Sequence, residues 1–221
     1  MTRDDIIKQF RTLAQDTVAP YLFSNEQVGG WLIEAESEAA IRGRLLHESA
    51  NPAICEISLS VGEAVYPLHP ALYEVTHLST RLDGEPRREP LMLVSTEYLD
   101  ESVPDWRDHT GRPRFAIQTE TSVRLAPTPD KAGTLLLEGY RLPLTGLGNT
   151  GTSKPEIHLA HHTYLIHWAL HKAYSIPDAE TFDPNRSVLA ERAFTAYFGP
   201  RPDSDLRRTT RHDEPHHNKL W

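Results

Sequence analysis

The sequence predicts an α+β fold. An N-terminal and a C-terminal helix pair form one helical bundle, an antiparallel β-module is inserted between them, and an extended C-terminal tail follows. Three observations carry this. Apolar residues recur at helical spacing near both ends of the chain but not in its middle. The middle divides into about six short β-prone runs separated by turn residues. The last stretch, 201–221, is polar, mixed in charge and without periodicity. The boundaries expected are 1–50 with 155–200 for the helical domain, 51–145 for a β-sandwich or small barrel, and 201–221 for an extended arm.

Thr2 is placed to cap a first helix, with Asp4 and Asp5 in its first turn, where negative charge favours the helix dipole. Ile6, Ile7, Phe10, Leu13 and Ala14 form its apolar face, and Pro20 breaks the run. Ser24 followed three residues later by Gln27 is a capping box. The second helix then places Val28, Trp31, Leu32, Ala35, Ala39, Arg42 and Leu46 along one side and Glu34, Glu36, Glu38 and Arg44 along the other. Helical structure is expected to about Glu48. Gly29-Gly30 costs that helix about 1 kcal/mol per residue relative to alanine, which implies close packing of another backbone there.

The β-stretch opens with Ile54, Ile57, Leu59 and Val61, and Gly62-Glu63 reads as a hairpin turn into 64–66. Leu72, Val75 and Leu78 mark the next strand, and Asp83-Gly84 a turn before a strand at 89–93. Phe115–Ile117 and Thr121–Leu125 pair naturally, and 133–140 supplies the last strand. No helix-period segment lies between these runs, so a parallel α/β sheet is disfavoured. After a Gly/Thr/Ser loop, 157–175 reads as one helix stopped by Pro177. Asp183 then caps a final helix with Pro184 at its first position, lined by Val188, Leu189, Arg192, Ala193, Tyr197 and Phe198 and ended by Gly199-Pro200.

Net charge is −8. Proteins that grip nucleic-acid phosphates carry a basic excess on the contact surface, so a tight nonspecific DNA binder is disfavoured. A surface that DNA slides past without sticking suits this sign. No apolar run reaches the length of a membrane span, and the opening MTRDDIIKQF lacks the apolar region of a secretion signal. Cys55 is the only cysteine, which excludes an intramolecular disulfide and a thiolate-rich zinc site; its apolar neighbours mark it as a packed side chain.

Two motifs invite chemistry. Gly146-Leu147-Gly148-Asn149-Thr150-Gly151 fits GxGxxG, but a dinucleotide site needs the third glycine to open a helix, and Pro155 forbids one there. It reads as an inter-element loop. His158/His162 and His167/His171 have the i,i+4 spacing of metal chelators. On one helix the two pairs point to nearly opposite faces, and neither has a third ligand by spacing, so interface packing is the competing reading. The tail histidines His212, His216 and His217 suit only adventitious metal binding. No nucleophile elbow or paired-carboxylate signature is present, so no catalytic, cofactor or metal residue is assigned. Trp31 and Trp168 read as core, Trp106 as capping one edge of the β-module, and Trp221 as an apolar anchor on a polar string.

Several stretches together resemble the head-to-tail adaptor (connector) proteins of tailed bacteriophages. These are Trp31-Leu32-Ile33-Glu34-Ala35, Tyr66-Pro67-Leu68 ahead of Glu74-Val75, and Trp106 before Gly111-Arg112-Pro113. Leu125–Pro129, Leu137–Tyr140, His162–Tyr174 and Glu191–Gly199 complete the set. Ile33 stands where an asparagine is common in that family. The resemblance implies a non-enzymatic virion protein at the neck, assembled in the host cytoplasm. It implies a ring of twelve copies beneath the portal protein, joined to tail or nozzle proteins and lining a channel for double-stranded DNA. It also implies that the tail docks on the portal, through Arg201, Leu206, Arg207, Arg208, Arg211, Leu220 and Trp221. Two other classes are weighed against it: a metal-dependent enzyme or sensor built on the histidine-rich helix, and a ligand-binding β-module, which would show an exposed aromatic platform. Another neck or tail-completion protein is the nearest structural rival.

Overall fold

In a computed structural model of the chain, residues 1–177 and 181–202 are described. The helices are α1 (Arg3–Ala14), α2 (Asn25–Gly43), α3 (Pro52–Cys55), α4 (Thr96–Ser102), α5 (Leu165–Ser175) and α6 (Pro184–Phe198). The strands are β1 (His47–Glu48), β2 (Glu56–Leu59), β3 (Val65–Pro67), β4 (Leu72–Leu82), β5 (Glu89–Pro90) and β6 (Met92–Leu93). Then come β7 (Thr110–Gly111), β8 (Phe115–Gln118), β9 (Ser122–Ala126), β10 (Thr128–Pro129) and β11 (Gly133–Arg141). The class is mixed α+β. Two compact units result: Met1–His47 with Tyr140–Arg201, and Glu48–Gly139.

In the first unit, α1, α2, α5 and α6 share one core in which Ile6, Phe10, Leu32, Leu165, Ile166 and Phe194 are fully enclosed. The helix ends follow local chemistry. Thr2 and Asp5 exchange side-chain and main-chain hydrogen bonds, as do Ser24 and Gln27. Asp183 accepts from the amides of Asn185 and Arg186, and Gly199 closes α6 at φ 93°.

Several expectations are corrected here. α1 ends at Ala14, well before Pro20, because Gln15 turns into the left-handed region. Leu13 is exposed rather than packed. α2 ends at Gly43, and His47–Glu48 is extended rather than helical. Glu36 and Glu38, assigned outward, are buried. Gly29 is indeed closely packed, but against the Arg3 guanidinium rather than a backbone, and Gly30 faces open space. The predicted helix over 157–175 is a 3-10 segment, Leu159–Tyr164, followed by α5. On α6 the inward residues are Ser187, Ala190, Phe194 and Phe198, while Val188 and Leu189 face outward.

The second unit holds two larger sheets and a separate two-stranded sheet of β7 with β10. In one, β11 pairs antiparallel with β2 in the register Gly133↔Leu59 and lies beside β4, beyond which β5 pairs antiparallel with β4. The other runs β3-β9-β8-β6. Leu78, Leu125, Leu135 and Leu137 are among the side chains buried in its main core. Thus β2 and β3 do not form the expected hairpin: Gly62 makes the turn at φ 79°, but the strands it joins enter different sheets, and Val61 is exposed. The run at 89–93 is likewise split at buried Leu91, with β5 on β4 and β6 on β8. Two short pairings, β6 with β8 and β10 with β7, are parallel. α3 and α4 interrupt the region expected to be without helix; Cys55 closes α3 and is buried. Trp106 is no edge cap. It is enclosed with Val94, Leu99, Ile117 and Ala126 in a second cluster, its indole N–H donating to Asp100 at 2.8 Å.

Gly139 lies where β11 passes β4. A Cβ there would strike the Glu74 carbonyl oxygen, so only glycine permits the approach.

Candidate assembly surfaces

The loop between α1 and α2 is built on a buried ion pair. Arg11 Nη1 lies 2.6 Å from Asp16 Oδ2. Asp16 accepts from the amides of Leu22 at 2.9 Å and Phe23 at 3.3 Å. Arg11 donates to the Phe23 carbonyl at 2.9 Å and to Asn25 Oδ1 at 2.6 Å, and its guanidinium stacks 3.6 Å from the centre of the Tyr21 ring. Phe23 turns inward onto Phe10 and half-buried Trp31. The charges are therefore saturated beneath the loop, while Val18 (77% exposed) and Leu22 (55%) point into solvent.

A second buried carboxylate holds the GxGxxG loop. Glu36, 1% exposed, accepts from the main-chain amides of Leu147 at 2.8 Å and of Glu156. Burial raises its pKa above the usual carboxylate value, against the lowering effect of those amides. Gly146, at φ 36°, lets the loop approach Glu36, and Gly151 leaves room for the Asp4 carboxylate. The glycines thus fit a protein carboxylate on one side and a helix start on the other, not a pyrophosphate. Glu156 is partly buried, which works to raise its pKa. Hydrogen bonds from Arg141 at 2.6 Å and from the Leu144 amide outweigh that and leave it lowered.

His158, His162 and His171 serve local structure. His158 Nδ1 accepts from the Ala160 amide as an N-cap. His162 is buried, with Nε2 2.9 Å from the Ile157 carbonyl and Nδ1 3.2 Å from the Met1 amino group. His171 Nδ1 sits 2.9 Å from Ser187 Oγ, whose hydroxyl donates to the His171 carbonyl at 3.0 Å. Since 159–164 is a 3-10 segment, the i,i+4 geometry assumed for His158/His162 does not form. Among the described residues no group of three or more His, Cys, Asp or Glu is placed to hold a metal ion. His161 instead joins an exposed aromatic cluster: Tyr164 and Tyr197 stack at 3.4 Å and 7°, and His161 Nδ1 lies 3.2 Å from the Tyr197 hydroxyl.

In the β-unit an open groove of about 1280 Å³ is floored by Leu68, Leu72, Val94 and Ile117. Its lining holds no Trp or Phe and a single Tyr, half-buried Tyr73, which is not the platform a sugar-binding module needs. No helix among the described residues is long and apolar enough to cross a membrane.

A family model described as SU10 adaptor protein matches residues 1–216. The chain belongs to that family. It is thus a phage adaptor, in a family of structural virion proteins. No curated protein matches the chain.

Of the tail residues singled out from the sequence, only Arg201 falls among the described residues of this adaptor. It is 72% exposed at its side chain and lies 3.4 Å from Glu38, which also binds Arg42 at 3.0 Å. Leu206, Arg207, Arg208, Arg211, Leu220 and Trp221 lie outside the described residues. Sequence reasoning missed the two buried carboxylates and the apolar loop. A charged residue on a helix carries no local sign that a distant loop will supply its hydrogen bonds.

Charge divides unevenly in the adaptor. Residues 48–139 carry 15 acidic and 8 basic side chains, net −7; 1–47 with 140–201 carry 12 and 11, net −1; 202–221 carry four of each. Exposed apolar side chains divide the other way. Of the sixteen large ones among the described residues, twelve belong to the helical unit.

Proposed function

We propose that this adaptor forms a ring beneath the portal protein and connects it to tail or nozzle proteins, with double-stranded DNA passing through the ring without specific binding. The observation that carries the reading is the family match over nearly the whole chain. The net charge of −8 supports a channel wall that does not retain DNA, because phosphate-gripping surfaces are basic. The helical and β units act as separate domains, and 201–221 acts as an arm that docks on the portal through Arg201, Leu206, Arg207, Arg208, Arg211, Leu220 and Trp221. Five basic residues and an apolar end give that arm both a charged and a hydrophobic handle. Twelve copies is the stoichiometry the resemblance implies, and the ring's place is the virion neck, after assembly in the host cytoplasm.

The test is the mass of the protein with and without the portal ring, for the full chain and for a chain ending at Pro200. The full chain is expected to join the portal as a ring, and the shortened chain to stay free while keeping its fold. Failure of the full chain to associate overturns the reading; association of the shortened chain overturns the arm's role.

A further inference from the structure

We infer that copies of this chain pack side by side through their helical units, with the α1–α2 loop of one copy seated on the outer face of α6 of the next. This rests on the self-association proposed above and names its surfaces. Val18, Tyr21 and Leu22 are exposed on a loop held by the buried Arg11–Asp16 pair. A loop whose Leu22 and Phe23 main chain is tied to that pair by three hydrogen bonds loses little conformational entropy on docking, which is what a preformed contact requires. α6 turns Ser187, Ala190, Phe194 and Phe198 inward and leaves Val188 (48% exposed) and Leu189 (63%) on its other side. That face includes the short side chain of exposed Ala196, two turns further on.

Charge selects a second copy as the occupant. Units of net −7 repel one another, whereas the helical unit is near neutral and the charges beneath the loop cancel. Like chains therefore approach most readily through the helical unit, where the exposed apolar side chains also concentrate. The two surfaces differ, so the contact is heterologous and repeats around a ring rather than ending at a dimer.

The experiment uses the full chain with the portal ring and a short bis-maleimide linker. Val18→Cys and Leu189→Cys proteins are mixed; Cys55, at 4% exposure, stays silent. Cross-linked pairs are expected from the mixture and from neither protein alone. Leu22→Asp and Leu189→Asp are each expected to weaken assembly about ten- to a hundredfold, as burial of one such side chain is worth, with unchanged thermal melting because both sites are exposed. If Leu189→Cys links to itself, the contact is isologous and the inference fails. If rings form normally with both aspartate variants and the mixture does not link, it fails while the adaptor reading stands. If the unaltered chain forms no ring with the portal, both fall.

Discussion

Replacing Glu36 by alanine should unfold the helical unit more easily than almost any other single change on α2. The side chain is 1% exposed, and its two oxygens accept the amides of Leu147 and Glu156. Without it two enclosed N–H groups lose their acceptor, at about 1–3 kcal/mol each. The carboxylate was itself unfavourable to bury, as its raised pKa records, and its removal gives part of that back. The net loss expected is therefore about 2–4 kcal/mol. Urea denaturation measures it, and amide hydrogen exchange at Leu147 and Glu156 should accelerate ahead of that in the α5 core. An unfolding free energy unchanged to within about 0.5 kcal/mol, with both amides still protected, would refute the argument. The pH dependence has a definite sign. A carboxyl raised above its unfolded value of 4.5 contributes stability that is fully present below 4.5 and is lost as pH rises through the folded value. The advantage of wild type over Glu36→Gln should therefore shrink from pH 4 toward neutrality.

Breaking the Arg11–Asp16 pair by Asp16→Ala should cost about 3–5 kcal/mol, while replacing both partners with apolar residues should cost much less; a double-mutant cycle in urea reads the difference. Two glycine changes should have opposite signs. Gly139→Ala forces a side chain onto the Glu74 carbonyl and should lose about 1–3 kcal/mol or more, whereas Gly30→Ala, in open space on α2, should gain about 1 kcal/mol. His161, His162 and His167 are held below their ordinary 6.5, chiefly by burial. The unfolded chain then takes up protons first, so their contribution is present above pH 6.5 and lost as pH falls through the window beneath it. Urea midpoints at pH 7.5 and 5.5 should show that slope, and His162→Gln should flatten it.

What could be seen in the sequence was what adjacent residues decide. The caps at Thr2, Ser24 and Asp183 and the stop at Gly199 depend on side chains reaching amides two or three positions away. The pairing of β8 with β9 was legible because a short turn joins them. The partners of β2 and β3 were not, since β2 finds β11 more than seventy residues on and nothing in Ile57 or Leu59 encodes that choice. α4 escaped notice because seven residues that bury only Leu99 leave no period to detect. Hydrophobicity alone puts Val188 and Leu189 inside, yet both face outward. α6 instead turns small Ser187 and Ala190 inward, and Ser187 bonds directly to His171 on α5. Among the tail residues, Arg201 alone lies within reach of such an account.

The division of the helical unit between the two ends of the chain has a consequence for synthesis. The core that encloses Ile6, Phe10 and Leu32 also needs Leu165, Ile166 and Phe194. The ribosome must therefore add some 120 residues after Gly43 before α5 begins at Leu165. At about 5–20 residues per second that is roughly 6–24 s during which α1 and α2 have each other but not α5 and α6 to cover their apolar faces. The β-unit, complete by Gly139, has all its strands available before that wait ends. Synonymous changes that slow translation between 44 and 164 should thus lower the yield of soluble adaptor, although the finished sequence is the same.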